Sequence, residues 1–121
     1  MYLYKIKMRG SIAHHLENYK GDCSRVHGHT LEIVSTFDFP GVKEPENMAV
    51  DFKELKALLK EIIPDHLDLN EKYQCANPTA EFLAKVIFKQ LEKAIEKKFP
   101  NLTVRAITVW ESSDASCTYG E

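Results

Sequence analysis

The 121-residue sequence lacks several features that would define a class of protein. No apolar run approaches the roughly 20 residues of a membrane-spanning helix, and the first residues have no apolar segment typical of a signal peptide. Basic residues are not in excess: the formal net charge is -2, which argues against a nucleic-acid partner. There is also no glycine-rich loop for a nucleotide cofactor. We therefore expect a cytoplasmic protein that binds neither a membrane nor nucleic acid.

Cysteine is scarce as well, with only Cys23, Cys75 and Cys117. An odd number of thiols in a reducing compartment is not a disulfide framework, so we expect free thiols, one of which is a candidate functional group. The hydrophobic content of 44% is ordinary for a protein that folds around its own core. We expect one domain over residues 1–121.

Hydrophobic periodicity predicts an α+β fold. The predicted elements, in order, are strands at 2–8 and 28–39, helices that begin at Asp51 and at Asn77-Pro78, and strands at 102–110 and near 116–119. Pro64 and Pro100 end the two helices. The polar segments 9–26 and 64–76 are interpreted as long loops. The order ββααββ predicts a four-stranded antiparallel sheet with two helices on one face.

Histidines are concentrated in and beside the two predicted loops. His27 and His29 share one face of a strand, because alternate side chains leave a strand on the same side. A third imidazole from His14 or His15 would give the three-ligand pattern of a catalytic zinc ion with one open position. Two other interpretations stay open: ordinary surface histidines, or a closed structural zinc site that includes Cys23. Histidine ligands are also compatible with iron, nickel or cobalt.

Six short motifs follow one another along the chain: Ser11-Ile-Ala-His14-His-Leu16, Cys23-x3-His27-Gly-His29, Val50-Asp51-Phe52, Asp65-His66-x-x-Leu69-Asn70, Asn77-Pro-Thr-Ala-Glu81 and Val109-Trp-Glu111-Ser112. In this order they resemble the 6-pyruvoyltetrahydropterin synthase / 6-carboxytetrahydropterin synthase family. The likeness runs from the first strand to the closing Tyr119-Gly-Glu121. The short spacing from Cys23 to His27 is more similar to the bacterial queuosine-pathway branch than to the animal biopterin branch.

The resemblance implies a tunnelling fold (T-fold), in which three subunits close a barrel and two trimers form a homo-hexamer with active sites between subunits. It also implies Zn²⁺ as the metal and a pterin triphosphate as the substrate. The implied roles are zinc binding for His14, His27 and His29, proton abstraction for Cys23, a supporting relay for Asp65, His66 and Glu111, and pterin binding for Glu81. Taken alone, Glu81 is also compatible with an ordinary acid at a helix start, and Asp65-His66 with a polar turn.

The implied reaction converts 7,8-dihydroneopterin triphosphate to 6-carboxy-5,6,7,8-tetrahydropterin, with release of acetaldehyde and triphosphate. The alternatives are a 6-pyruvoyl product, formed without C–C cleavage, and a non-catalytic module with structural zinc. The chain departs from the family pattern at three positions. Gly10 stands where an aromatic residue is common, His15 where arginine is common, and Pro64 where leucine is usual.

Overall fold

Two long strands dominate the architecture of the computed structural model, which describes residues 1–121. The elements in chain order are β1 (Tyr2–His14), β2 (His27–Phe39), α1 (Phe52–Ile62), β3 (Leu67–Asp68), α2 (Leu69–Tyr73), α3 (Ala80–Lys98), β4 (Thr103–Ser112) and β5 (Ala115–Gly120). β1 and β2 are antiparallel along their whole length, from Tyr2 opposite Phe39 to His14 opposite His27. Together they form the axis of a sheet with the strand order β3-β1-β2-β4-β5.

The α+β prediction is confirmed, with two corrections to the sheet. The sheet has five strands, because the two-residue β3 pairs in parallel with β1 at Ile12 and Ala13. A strand this short carries no periodic pattern that a sequence can show. β1 also extends through residues 9–14, which were interpreted as loop. Gly10 and Ser11 interrupt the apolar alternation there, yet Ile12 and His14 still face the interior.

Side chains cap the helices, and the helix prediction needs two corrections. Asp51 caps α1 as predicted, since its side chain accepts a hydrogen bond from the backbone N–H of Lys53. The cap of α3 is Thr79, whose hydroxyl accepts from the N–H of Phe82, and not Asn77 with Pro78. The five-residue α2 lies in the segment predicted as loop. A single turn of helix is too short to show an amphipathic stripe.

One cluster of 23 buried apolar residues lies between the inner face of the sheet and the helices α1 and α3. Strand residues such as Ile33, Phe37 and Ile107 contribute from one side, and Leu59 and Phe88 from the other. Only two buried residues are polar, His14 and Ser35, and His14 is 3% exposed. A buried polar group is costly unless it has a hydrogen-bond partner, so the His14 side chain at the end of β1 requires one. No helix is long and apolar enough to span a membrane.

Gly10 permits a close approach of the backbone that precedes β3. A Cβ atom built at Gly10 would collide with the carbonyl oxygen of Pro64. Gly10 and the carbonyl group of Pro64 are therefore close neighbours. The residues that follow Pro64 also lie against β1, because the N–H of His66 donates to Ser11 O at 2.6 Å.

We predict that Gly10→Ala destabilises the protein, because the new methyl group must displace the Pro64 carbonyl. Overpacking of this kind typically costs about 1–3 kcal/mol. Gly41→Ala is the matched control, since no atom lies within 4 Å of a Cβ built there. Denaturant melts of both variants measure the effect. Equal unfolding free energies for Gly10→Ala and the wild type would contradict the close approach.

Candidate metal centre and active site

Three imidazoles converge at the end of the β1–β2 pair where residues 15–26 connect the two strands. The register places His14 directly opposite His27, and Ile12 opposite His29. His27 and His29 lie two residues apart, so both point to the same face as His14. The ring centroids are 4.6 Å apart for His14 and His27, 5.1 Å for His14 and His29, and 4.8 Å for His27 and His29. The third member of the predicted cluster is thus His14 and not its neighbour His15.

Backbone carbonyl groups orient two of these rings. His14 Nδ1 lies 3.0 Å from the carbonyl oxygen of Pro78, and His27 Nδ1 lies 2.7 Å from that of Arg25. A ring that donates from Nδ1 to a carbonyl presents the lone pair of Nε2 to a metal, and metal-binding histidines usually have such a partner. One nitrogen from each of the three residues lies within 4.8 Å of the others. Around a tetrahedral zinc ion these nitrogens would be about 3.3 Å apart, so small side-chain movements suffice.

The electrostatics favour a neutral His29. Burial lowers the pKa of His29 below its ordinary value, and the neighbouring His14 and His27 lower it further, while Glu111 opposes them. Because a metal binds only the unprotonated imidazole, a lowered pKa reduces competition from protons near neutral pH. The residues present therefore fit a divalent metal ion.

Cys23 borders the same space without joining the nitrogen cluster. It lies in a short 3₁₀ helix (Asp22–Ser24), and its carbonyl oxygen accepts a hydrogen bond from the N–H of Leu16 at 2.8 Å. The side chain is partly exposed and lines a cavity of about 350 Å³. That cavity is lined by His14, Leu16, Asp22, Cys23, His27, His29 and Glu111. The Cys23 sulfur is not among the ligand atoms within 4.8 Å of one another.

Glu111 lines this cavity and lies at an irregularity in the sheet. In the β4–β5 pairing Trp110 lies opposite Ser116 and Ser112 opposite Ala115, so Glu111 is the extra residue of a β-bulge. Bulges redirect a side chain and are frequent beside active sites. Glu111 lines the histidine cavity and also a second groove of about 540 Å³. It is the one residue that both spaces share.

Glu81 lies in the first turn of α3 and lines that second groove. The other lining residues are Ala80, Glu111, Ala115, Ser116, Cys117 and Thr118. Two carboxylates on one groove offer acceptors to a ligand with several N–H donors. Cys117, one of the three free thiols, therefore lines the same groove as Glu81.

Asp65 and His66 are held elsewhere, at the edge of β1. Asp65 Oδ1 accepts the N–H of Ser11 at 2.8 Å, and Asp65 Oδ2 lies 3.0 Å from His66 Nδ1. The Ser11 hydrogen bond is the main cause of a lowered pKa for Asp65, and His66 adds to it. The His66 side chain is 82% exposed, and neither residue lines the cavity or the groove described above. A single chain does not bring this pair to the histidines.

Sequence reasoning missed the partners that orient the rings. The carbonyl groups of Arg25 and Pro78 act through the backbone, and a backbone carbonyl has no residue-type signature. The Asn-Pro pair before α3 was the available signal, because a proline that does not begin the helix leaves its carbonyl free to serve another group. The bulge at Glu111 was also missed, since one extra residue does not alter an apolar pattern.

Comparisons with known proteins agree with this geometry. The family model for 6-pyruvoyl tetrahydropterin synthase matches residues 4–121. The 6-carboxy-5,6,7,8-tetrahydropterin synthase of Synechocystis is 35% identical over 88 residues, which cover 68% of each chain. The protein of that name from Haemophilus influenzae is 27% identical over 146 residues, covering 98% of this chain and 100% of the other. The 6-pyruvoyl tetrahydropterin synthase of Caenorhabditis elegans superposes with a TM-score of 0.80 at 22% identity, over 99% and 95% of the chains.

The superposition and the sheet topology define a T-fold protein, as the six motifs predicted. The match over residues 4–121 is more specific: the chain belongs to the 6-pyruvoyl tetrahydropterin synthase family and is an enzyme of that family.

Proposed function

We propose that residues 1–121 form a single pterin synthase domain, which converts 7,8-dihydroneopterin triphosphate to 6-carboxy-5,6,7,8-tetrahydropterin. The reaction takes up water and releases acetaldehyde and triphosphate, as a step of queuosine (7-deazapurine) biosynthesis in the cytoplasm. The observation that carries this proposal is the shared cavity, which is lined by three clustered histidines, a cysteine and a carboxylate. The 6-carboxy names of the relatives from Synechocystis and Haemophilus influenzae support this choice of product.

His14, His27 and His29 would hold a zinc ion through their Nε2 atoms. When bound, zinc supplies Lewis acidity, which makes the protons beside the hydroxyl groups of the substrate side chain easier to remove. The carbonyl partners of His14 and His27 support this assignment, because they fix the ring nitrogen that faces the cavity. The lowered pKa of His29 also supports the assignment, because it keeps the imidazole unprotonated and able to bind a metal.

Cys23 is the proposed base. Its thiolate would remove a proton from the substrate side chain, so that triphosphate leaves and the electrons move into the pterin ring. Its position on the cavity wall, outside the nitrogen cluster, supports a base rather than a fourth metal ligand. Glu111 faces the same cavity and would pass the proton on.

Glu81 is the proposed anchor for the pterin ring. The 2-amino-4-oxo edge of a pterin presents two parallel N–H groups, which one carboxylate accepts in a bidentate manner. The groove beside Glu81 joins the histidine cavity at Glu111, so a ring in the groove would direct its side chain toward Cys23.

Asp65 and His66 would complete the site from a neighbouring subunit of a homo-hexamer. Their exposure at the edge of β1, away from the cavity, supports this arrangement. Ser11 and Asp65 fix the imidazole of His66, so a neighbouring copy would receive a rigidly held relay group. β1 before Gly10 and the whole of β5 lie at opposite edges of the sheet, where further copies would add.

We predict that Cys23→Ala keeps its zinc and its melting temperature but loses at least about 100-fold in turnover, because a general base is removed. Bound zinc, thermal melts and initial rates are measured on the same samples. Cys75→Ala, at another partly exposed cysteine, is the control and is expected to turn over normally. If Cys23→Ala loses zinc and stability together, the structural zinc module is the correct interpretation.

The product is predicted to be the 6-carboxy compound. Incubation of the zinc-loaded protein with 7,8-dihydroneopterin triphosphate should release acetaldehyde and triphosphate in equal amounts, which a coupled alcohol dehydrogenase assay and phosphate chromatography measure. Triphosphate without acetaldehyde would identify the 6-pyruvoyl reaction instead. Cys23→Ala serves as the blank for non-enzymatic breakdown.

We predict complementation between two inactive variants if subunits share active sites. In mixed hexamers of Cys23→Ala and His66→Ala, some sites receive an intact Cys23 from one subunit and an intact His66 from the next. Random mixing in a symmetric ring restores about a quarter of the wild-type activity. The control mixes Cys23→Ala with the double variant, where no intact site forms. No recovery in verified mixed hexamers would place the whole site within one chain.

A further inference from the structure

The segment that follows β1 is held by side chains from residues 70–78. Asn18 and Asn77 exchange hydrogen bonds, with Asn18 N–H to Asn77 Oδ1 at 3.0 Å and Asn77 Nδ2 to Asn18 Oδ1 at 2.6 Å. The N–H of Glu17 donates to the carbonyl of Ala76 at 3.2 Å. These contacts join a stretch that carries a metal ligand to the stretch that leads into α3.

Asn70 is the centre of these contacts. Its Oδ1 accepts from the N–H of His15 at 3.0 Å, and its Nδ2 donates back to the carbonyl of His15 at 3.0 Å. Nδ2 also lies 3.1 Å from Cys75 O and 3.3 Å from Ala76 O. An amide nitrogen has two protons, so three acceptors use its full donor capacity with one bond shared. One side chain thereby continues the backbone pairing that β1 loses after His14.

The hydrogen bonds of Asn70 to His15 affect both His14, the proposed metal ligand, and Cys23, the proposed base. His14 immediately precedes His15, and its ring is held by the carbonyl of Pro78 on the far side of the same stretch. Leu16 immediately follows His15, and its N–H donates to the carbonyl of Cys23. Fixing the backbone of His15 therefore fixes the approach of a metal ligand on one side and of the base on the other.

We propose that Asn70 is a positioning residue, which sets His14 and Cys23 relative to each other through the backbone of His15. The inference rests on the proposed function for the roles of His14 and Cys23, but the contacts that carry it do not involve substrate. A solely local role would be to cap the end of α2, where Asn70 meets the carbonyls of Cys75 and Ala76. The two bonds to His15 go beyond such a role.

The test compares Asn70→Ala with Asn101→Ala. Asn101 also donates from Nδ2 to a backbone carbonyl, that of Ala49 at 3.3 Å, but it lines neither the cavity nor the groove. Three quantities are measured: amide hydrogen exchange of His15 and Leu16 in metal-free protein, zinc affinity by chelator competition, and turnover at saturating zinc. For Asn70→Ala we expect at least about tenfold faster exchange at both amides and about 10–100-fold weaker zinc binding. Turnover should also fall at saturating zinc, with KM little changed, whereas Asn101→Ala matches the wild type in all three.

Unchanged exchange at His15 and Leu16, or equal losses in Asn101→Ala, would overturn the proposal. If Asn70→Ala does not fold, Asn70→Asp replaces it, since aspartate keeps the acceptor for the His15 N–H but cannot donate to the three carbonyls. It should then retain His15 protection and lose zinc affinity, and wild-type zinc affinity in Asn70→Asp would contradict the proposal. A wild-type protein that binds no zinc refutes the proposed function, while the metal-free exchange still decides the role of Asn70.

Discussion

The whole site depends on the continuous antiparallel pairing of β1 with β2. Because this ladder runs unbroken to its last pair, His14 is fixed opposite His27, and the two-residue period adds His29 to the same face. A slip of β2 by one residue would turn His27 and His29 away from His14 to the other side of the sheet. The same slip would expose Ile33 and Phe37, which share their face. The same apolar alternation that fills the core therefore determines where a metal can bind.

Hydrophobic periodicity and capping residues made most of the fold predictable from the sequence. The parts that depend on individual contacts between distant residues were not predictable. Alternation predicted β2 and β4, helical spacing predicted α1 and α3, and Asp51 marked the start of α1. The His27–His29 pair could be placed on one face from spacing alone. The continuation of β1 to His14 could not, because Gly10 serves a close approach of Pro64 that no local pattern shows.

The relative positions of the remaining site residues were also not predictable from the sequence. Glu81 and Glu111 line one groove although they lie on different elements, the first turn of α3 and the end of β4, where a bulge falls. Asp65 and His66 are ordered by Ser11 at a strand edge and face away from the cavity of their own chain. Their order along the sequence matches the family, but the distances between them are set by the sheet and, in the proposed assembly, by neighbouring subunits.

The hydrogen bond from His14 to the carbonyl of Pro78 joins positions 64 residues apart in the chain. The His14 ring, whose orientation depends on so distant a backbone group, would not be in place when the first hairpin forms. The β1–β2 pair can assemble early, since its strands are close in sequence, but the complete cluster must wait until the segment before α3 has docked. In the proposed metal centre, full affinity would therefore be acquired only after that docking, and a partly folded chain with both strands in place would bind the ion poorly.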